Sequence, residues 1–307
     1  MSDTSPSPQE RPAETPLTPL HMLLVLGIMI LWGLNFAVAK IGLQQLPPIF
    51  LVASRFLLVA ILLLPFAKRT HGQWGAIFAI SVVLGLFHFS FMFTGLRTVD
   101  AATASIAIQL QVPFAALLAA IFFKDKLGWR RALGMTIAFC GVAVIAGEPR
   151  LGGQYLALGF VVTASFIWSI ANVMIKRLQD VDGITLNAWL AVFATPMLFA
   201  ASAVLEEGQM EALRQADFWA YFAIVYQAVV VVVIGYGCWY WLLRRYQMNQ
   251  VMSSTLLVPF FGVLSGIVFL GEELTVNLIS GGIMTIAGVG IIILRRPKIT
   301  APEAERL

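Results

Sequence analysis

Ten runs of apolar residues divide this 307-residue chain, each close to the roughly 20-residue helix that crosses a bilayer. No water reaches backbone N–H and C=O groups inside hydrocarbon, so runs of this kind fold as helices that satisfy their own hydrogen bonds. They cover residues 21–41, 48–66, 74–94, 99–123, 130–147, 154–175, 185–205, 218–243, 248–270 and 275–294. With 59% hydrophobic and 12% charged residues, the chain departs from soluble domains, in which about a quarter of residues are charged. The fold class read from this is an all-α integral membrane protein whose constant partner is the lipid bilayer. A net charge of +4 does not indicate a nucleic-acid surface, because the basic residues cluster in short loops, where they report orientation.

The runs repeat. Leu110, Val112, Pro113, Phe114, Leu118 and Ile121 recur as Leu256, Val258, Pro259, Phe260, Leu264 and Ile267, all at a separation of 146 residues. Trp32 and Lys40 return as Trp168 and Lys176, 136 residues on, while Gly134 and Gly141 return as Gly281 and Gly288 at 147. These glycines, seven apart on nearly one helix face, read as close-packing surface. The chain therefore divides into a disordered cytoplasmic tail (1–19), a first five-helix repeat (20–148), a second (149–294) and a further cytoplasmic tail (295–307). Residues Met1 to Pro19 lack the basic, apolar and small-residue order of a signal peptide. An odd number of helices per repeat inserts the second repeat upside down relative to the first. The expected consequence is a substrate site between the repeats near mid-membrane, with access alternating between faces. Loops on one side carry fifteen Lys and Arg and those on the other four, which places both termini in the cytoplasm.

Polar residues deep in such runs are costly unless they face a cavity or pair with one another. Trp32 and Asn35 share a face of the first helix, and Trp168 and Asn172 are their counterparts in the sixth. Gln109 in the fourth helix is a candidate ligand. Gln111 points about 200° away at 100° per residue, so it serves either as a second ligand or in an interhelical hydrogen bond. Thr255 echoes Gln109 in the ninth helix. Pro113 and Pro259 each remove a backbone donor and free the carbonyl four residues earlier, which makes each a hinge or a static kink. Tyr236 lies between Gly235 and Gly237, where backbone comes close, whereas Trp239 and Tyr240 read as an aromatic belt. Arg55 either meets a carboxylate or, as the expected case, snorkels or pairs with backbone carbonyls near the outer surface.

His88 is the one histidine deep within a run, available for proton coupling or for a bond to another helix. No Asp or Glu lies deep in any run, which disfavours lipophilic cations and suits a neutral or zwitterionic small-molecule substrate. His21, His71 and His88 are too scattered for a metal centre, no nucleophile motif is present, and Cys140 and Cys238 fall in apolar runs. Neither a metal, a cofactor nor an enzyme activity is expected.

Trp32-Gly33-Leu34-Asn35-Phe36, Arg55-Phe56, Gln109 with Gln111, Gly235-Tyr236-Gly237, Leu257-Val258-Pro259 and Leu270-Gly271-Glu272 resemble the EamA family of the drug/metabolite transporter superfamily. The resemblance extends over all ten helices, and among the branches it is nearest to exporters of O-acetylserine and cysteine. It implies a transporter of the bacterial inner membrane exporting small amino acids or related metabolites by alternating access, with or without proton coupling. Efflux of drugs or flipping of lipid-like compounds is the alternative on this scaffold. Lys124-Asp125-Lys126 departs from the family pattern, which often carries Gly-Glu-Arg there. If Trp32 and Gln109 line the pocket, Trp32→Ala and Gln109→Ala abolish transport in vesicles while membrane insertion, followed by immunoblot of the membrane fraction, stays at wild-type level.

Overall fold

The computed structural model describes residues 17–70, 72–122, 128–148, 152–178, 181–246, 251 and 253–294. Residues 1–16 of the expected tail at 1–19, the whole tail at 295–307, and Lys124, Asp125 and Lys126 lie outside the described residues, while Pro19 already begins the first helix. Ten helices are long and apolar enough to cross a membrane. They are α1 (Pro19–Leu43), α2 (Pro48–Phe66), α3 (Trp74–Thr98), α4 (Ala101–Phe122), α5 (Trp129–Ala146), α6 (Tyr155–Ile175), α7 (Gly183–Leu205), α8 (Phe218–Leu243), α9 (Ser253–Leu270) and α10 (Val276–Ile293). A seven-residue helix, Gln209–Gln215, joins α7 to α8; the apolar pattern does not foresee it.

The inverted repeat is visible in which helices touch. α1 packs on α9 as α4 packs on α6; α3 packs on α6 as α8 packs on α1; α2, α4 and α5 each meet their own counterparts α7, α9 and α10. At the α5–α10 seam the glycines let two backbones meet. A Cβ on Gly141 would lie 2.5 Å from the Gly281 carbonyl oxygen, and one on Gly288 would lie 2.5 Å from that of Gly134. Small residues are what allow such an approach in lipid, where no hydrophobic force pushes helices together.

Both repeats break regular helix geometry at matching places. Three residues before Pro113 and Pro259 the chain tightens into 3₁₀ turns, Ile108–Leu110 and Ser253–Leu256. Each proline lacks the N–H that the fourth-previous carbonyl needs, and the tighter turn re-pairs the backbone around the gap. In α3 and α8 the helix instead widens to π geometry over Ser81–His88 and Tyr226–Tyr236.

Carboxylates from the second repeat cap helices of the first. Gly271, at φ 67°, ends α9 in a left-handed turn, in which the Glu272 amide bonds back to the Gly266 carbonyl at 3.1 Å. That reversal delivers the Glu272 carboxylate to the first two amides of α4, Ala101 N at 2.6 Å and Ala102 N at 2.8 Å. Burial raises the Glu272 carboxyl above its ordinary range, against the pull of these two amides. Glu206 caps α2 in the same way through Ile49 N (2.7 Å) and Phe50 N (3.0 Å), and Lys40 donates to the Val99 carbonyl. All three lie on the face poor in Lys and Arg. On the opposite face Lys68 and Asp182 form a 3.4 Å ion pair.

Because the obstacle at Gly141 is backbone, Gly141→Leu forces α5 and α10 apart at a cost of about 1–3 kcal/mol or more. Thermal denaturation of the purified protein should show a marked drop in Tm. Gly159→Leu, where a Cβ meets nothing within 4 Å, should match wild type.

Candidate functional site

Each π stretch ends on a side chain that packs against the tryptophan of the other repeat's first helix. Tyr236 on α8 lies 5.2 Å, ring to ring, from Trp32 on α1. His88 on α3 lies 4.9 Å from Trp168 on α6. The extra residue of a π turn rotates the helix face and lets a ring reach sideways at mid-span. Gly235 makes the first pair feasible, since a Cβ there would sit 2.8 Å from the Trp32 ring nitrogen. Trp239 corrects the belt expectation: it is buried and 5.1 Å from Trp32, because α8 leans its inner face on α1.

Arg55 corrects a larger expectation. It does not snorkel; it is only 3% exposed, because α2 is enclosed by α3, α7 and α8 and no route to the headgroups is open to its side chain. Its guanidinium carbon lies over the rings of Phe89 (4.2 Å), Phe56 (4.7 Å) and Phe93 (5.5 Å). One terminal N–H donates to the Gln227 side-chain oxygen at 3.4 Å. Phe89 in turn stacks edge-on against His88 at 4.7 Å. The guanidinium is thus joined through Phe89 to the His88–Trp168 pair. Among the described residues no carboxylate pairs with it, and its Nε and the Gln227 Nε2 have no hydrogen-bond partner. A ring face returns about 0.5–2 kcal/mol to a cation, against several kcal/mol for taking the charge out of water. The rings shield Arg55 without neutralising it.

The remaining sequence candidates fall into three groups. Asn35 sits one turn from Trp32 with its side-chain oxygen buried and without a hydrogen-bond partner. Gln109 and Gln111 correct the expectation that they diverge: the Gln111 amide donates to the Gln109 oxygen at 3.4 Å. The 3₁₀ turn at Gln109 changes the angular step, and two long amides span what remains. Gln109 is buried where this turn meets α6 and α10; half-buried Thr255 occupies the equivalent turn of α9 against α1 and α10. Asn172 is exposed and does not join the cluster. The 136-residue offset that carries Trp32 onto Trp168 carries Asn35 onto Ala171, so Asn172 points about 100° away.

His88 donates from Nδ1 to the Ala164 carbonyl at 2.8 Å, which ties α3 to α6 and fixes the proton on that nitrogen in the neutral ring. A cavity of about 400 Å³ opens elsewhere, at the face poor in Lys and Arg, bordered by Gln44, Pro47, Arg97 and Glu206. Among the described residues no group of three His, Cys, Asp or Glu could hold a metal ion. Sequence reasoning passed over Gln227, whose signal was a lone amide in the apolar run that follows Tyr226.

The model of the EamA-like transporter family matches residues 19–147 and again 155–294. A probable amino-acid metabolite efflux pump of Salmonella typhimurium is 33% identical over 280 residues, covering 87% of this chain and 93% of that protein. One of the same description from Escherichia coli is 31% identical over 279 residues, covering 88% and 93%. A solved crystal structure superposes with a TM-score of 0.59 at 18% identity, covering 88% of this chain and 94% of the other, which shows a shared fold. With Nδ1 of His88 committed to a backbone carbonyl, His88→Gln should leave the response of transport to an imposed pH gradient as in wild type. A loss of that response in reconstituted vesicles would assign the ring to coupling instead.

Proposed function

The chain belongs to the EamA-like transporter family, and from that premise we propose that it exports small amino acids or closely related metabolites by alternating access. The observation that carries the reading is the cluster formed by two aromatic contacts between the repeats, Trp32 with Tyr236 and Trp168 with His88, together with the buried cation Arg55, which packs on Phe89 beside His88. A substrate in transit exchanges water for protein polar groups, and this cluster supplies them where the two repeats meet. Gln109 and Thr255, on 3₁₀ turns backed by Pro113 and Pro259, are further contacts, with the prolines as points of flexure.

The latches at the two faces fit such a cycle. Glu272, Glu206 and Lys40 hold helices together on one face, Lys68 and Asp182 on the other. Alternating access requires one set to loosen while the other persists. The bias of Lys and Arg toward one set of loops supports cytoplasmic termini in a bacterial inner membrane. The absence of Asp and Glu from the interior of the runs supports a substrate without net positive charge, and the names of the Salmonella and Escherichia relatives support amino-acid metabolites.

Inside-out vesicles bearing the protein should accumulate labelled cysteine, O-acetylserine or other small amino acids above vesicles without it. Accumulation of lipophilic cations or labelled lipid, with none of the amino acids, would replace this reading by drug efflux or lipid flipping.

A further inference from the structure

We propose that Arg55 and Gln227 form a carboxylate-binding subsite, so that the protein selects substrates bearing a free carboxylate and rejects the corresponding amines and esters. The inference deepens the export reading and rests on it for the direction of transport, though not for the binding chemistry.

Three observations carry it. Arg55 is a permanent cation that is 3% exposed and at least a full turn inside α2. Its protein contacts are three ring faces and one long bond to a neutral amide. Gln227 is fully buried beside it, and while its oxygen accepts from Arg55, its own NH₂ donates to nothing among the described residues. The Nε of Arg55 is likewise an orphan donor. Donors therefore outnumber acceptors around a positive charge, in a place where unpaired polar groups are costly.

The group that completes this arrangement is anionic and planar, with two acceptor oxygens. A carboxylate meets the guanidinium through parallel charge-assisted bonds and takes the free N–H of Gln227 as well. The cation would repel an amine that lacks the acid, and an ester offers one weakly accepting carbonyl in place of two anionic oxygens. The aromatic walls from Phe56, Phe89 and Phe93 raise the discrimination, because they exclude water that would otherwise screen the charge. Among the described residues no other charged side chain in the interior of the helices competes for the anion: Lys40 lies at the end of α1 and is bonded to the Val99 carbonyl.

The test uses the full-length protein in proteoliposomes and in detergent. In wild type, transport of a labelled amino acid is challenged with the same unlabelled acid, its methyl ester, its primary amide and its decarboxylated amine. The acid should compete at least roughly tenfold better than each neutral or amine analogue, and Arg55→Gln should lower transport by roughly 30-fold or more, the scale of losing one charged partner from a buried pair. Equal competition by ester or amine, with the amino acid still transported, overturns the subsite and leaves the export reading standing. If Arg55→Gln does not fold, the analogue series on wild type decides alone. If no amino acid is transported, export fails as a reading, and the subsite is judged by thermal stabilisation of the purified wild-type protein. Stabilisation by millimolar amino acids and simple carboxylates, but not by their methyl esters, supports it; none by any carboxylate overturns it.

Discussion

Backbone hydrogen bonds have no alternative partner inside hydrocarbon, and this constraint shapes every irregular feature of the fold. Where Pro113 and Pro259 delete a donor, the helix tightens for one turn just before them. Where α4 and α2 begin, their first amides are taken by Glu272 and Glu206 from the other repeat. Helix N-termini carry partial positive charge, so each carboxylate serves as cap and counter-charge together. The departures from regular helix fall where another helix covers them, which is the condition under which a membrane tolerates them.

The two repeats are alike in scaffold and unlike in chemistry. Glycine seams, proline-linked turns and π stretches recur in both halves, and the tryptophans of α1 and α6 each find a ring from α8 or α3. Yet one pair is completed by a tyrosine and the other by a histidine held to a carbonyl. The buried cation, Arg55, is supplied by the first repeat and its amide partner, Gln227, by the second. A symmetric scaffold suits a carrier that must present one site to two faces. Under the proposed function, the asymmetry of this cluster suits a substrate with distinct ends.

Charge inside a membrane marks function more sharply than polarity does. Ser81 and Ser105 bond back to carbonyls of their own helix, Ile77 at 2.7 Å and Ala102 at 2.8 Å; they satisfy themselves locally. Arg55 has no such local solution. Its charge is retained among rings that can shield it but cannot cancel it, and that imbalance is the ground on which we propose a carboxylate as its partner.

Ten helices, their inverted arrangement and the repeated glycines as packing surface were legible from sequence alone, because length, apolarity and repeat spacing are one-dimensional consequences of crossing hydrocarbon; that those glycines bring α5 onto α10 was not. Trp32, Tyr236, His88 and Trp168 could be singled out for the same reason: polar or amphipathic groups at mid-run depth stand out against leucine and valine. Which of them meet was settled only by tertiary structure. Helix phase is fixed to a residue, so Asn172, one position off the symmetric offset, turns outward, and two π stretches that leave no sequence signature aim Tyr236 and His88 at their partners. The fate of Arg55 was beyond sequence altogether: whether an arginine two turns into a helix reaches water depends on what surrounds that helix, and α3, α7 and α8 enclose it.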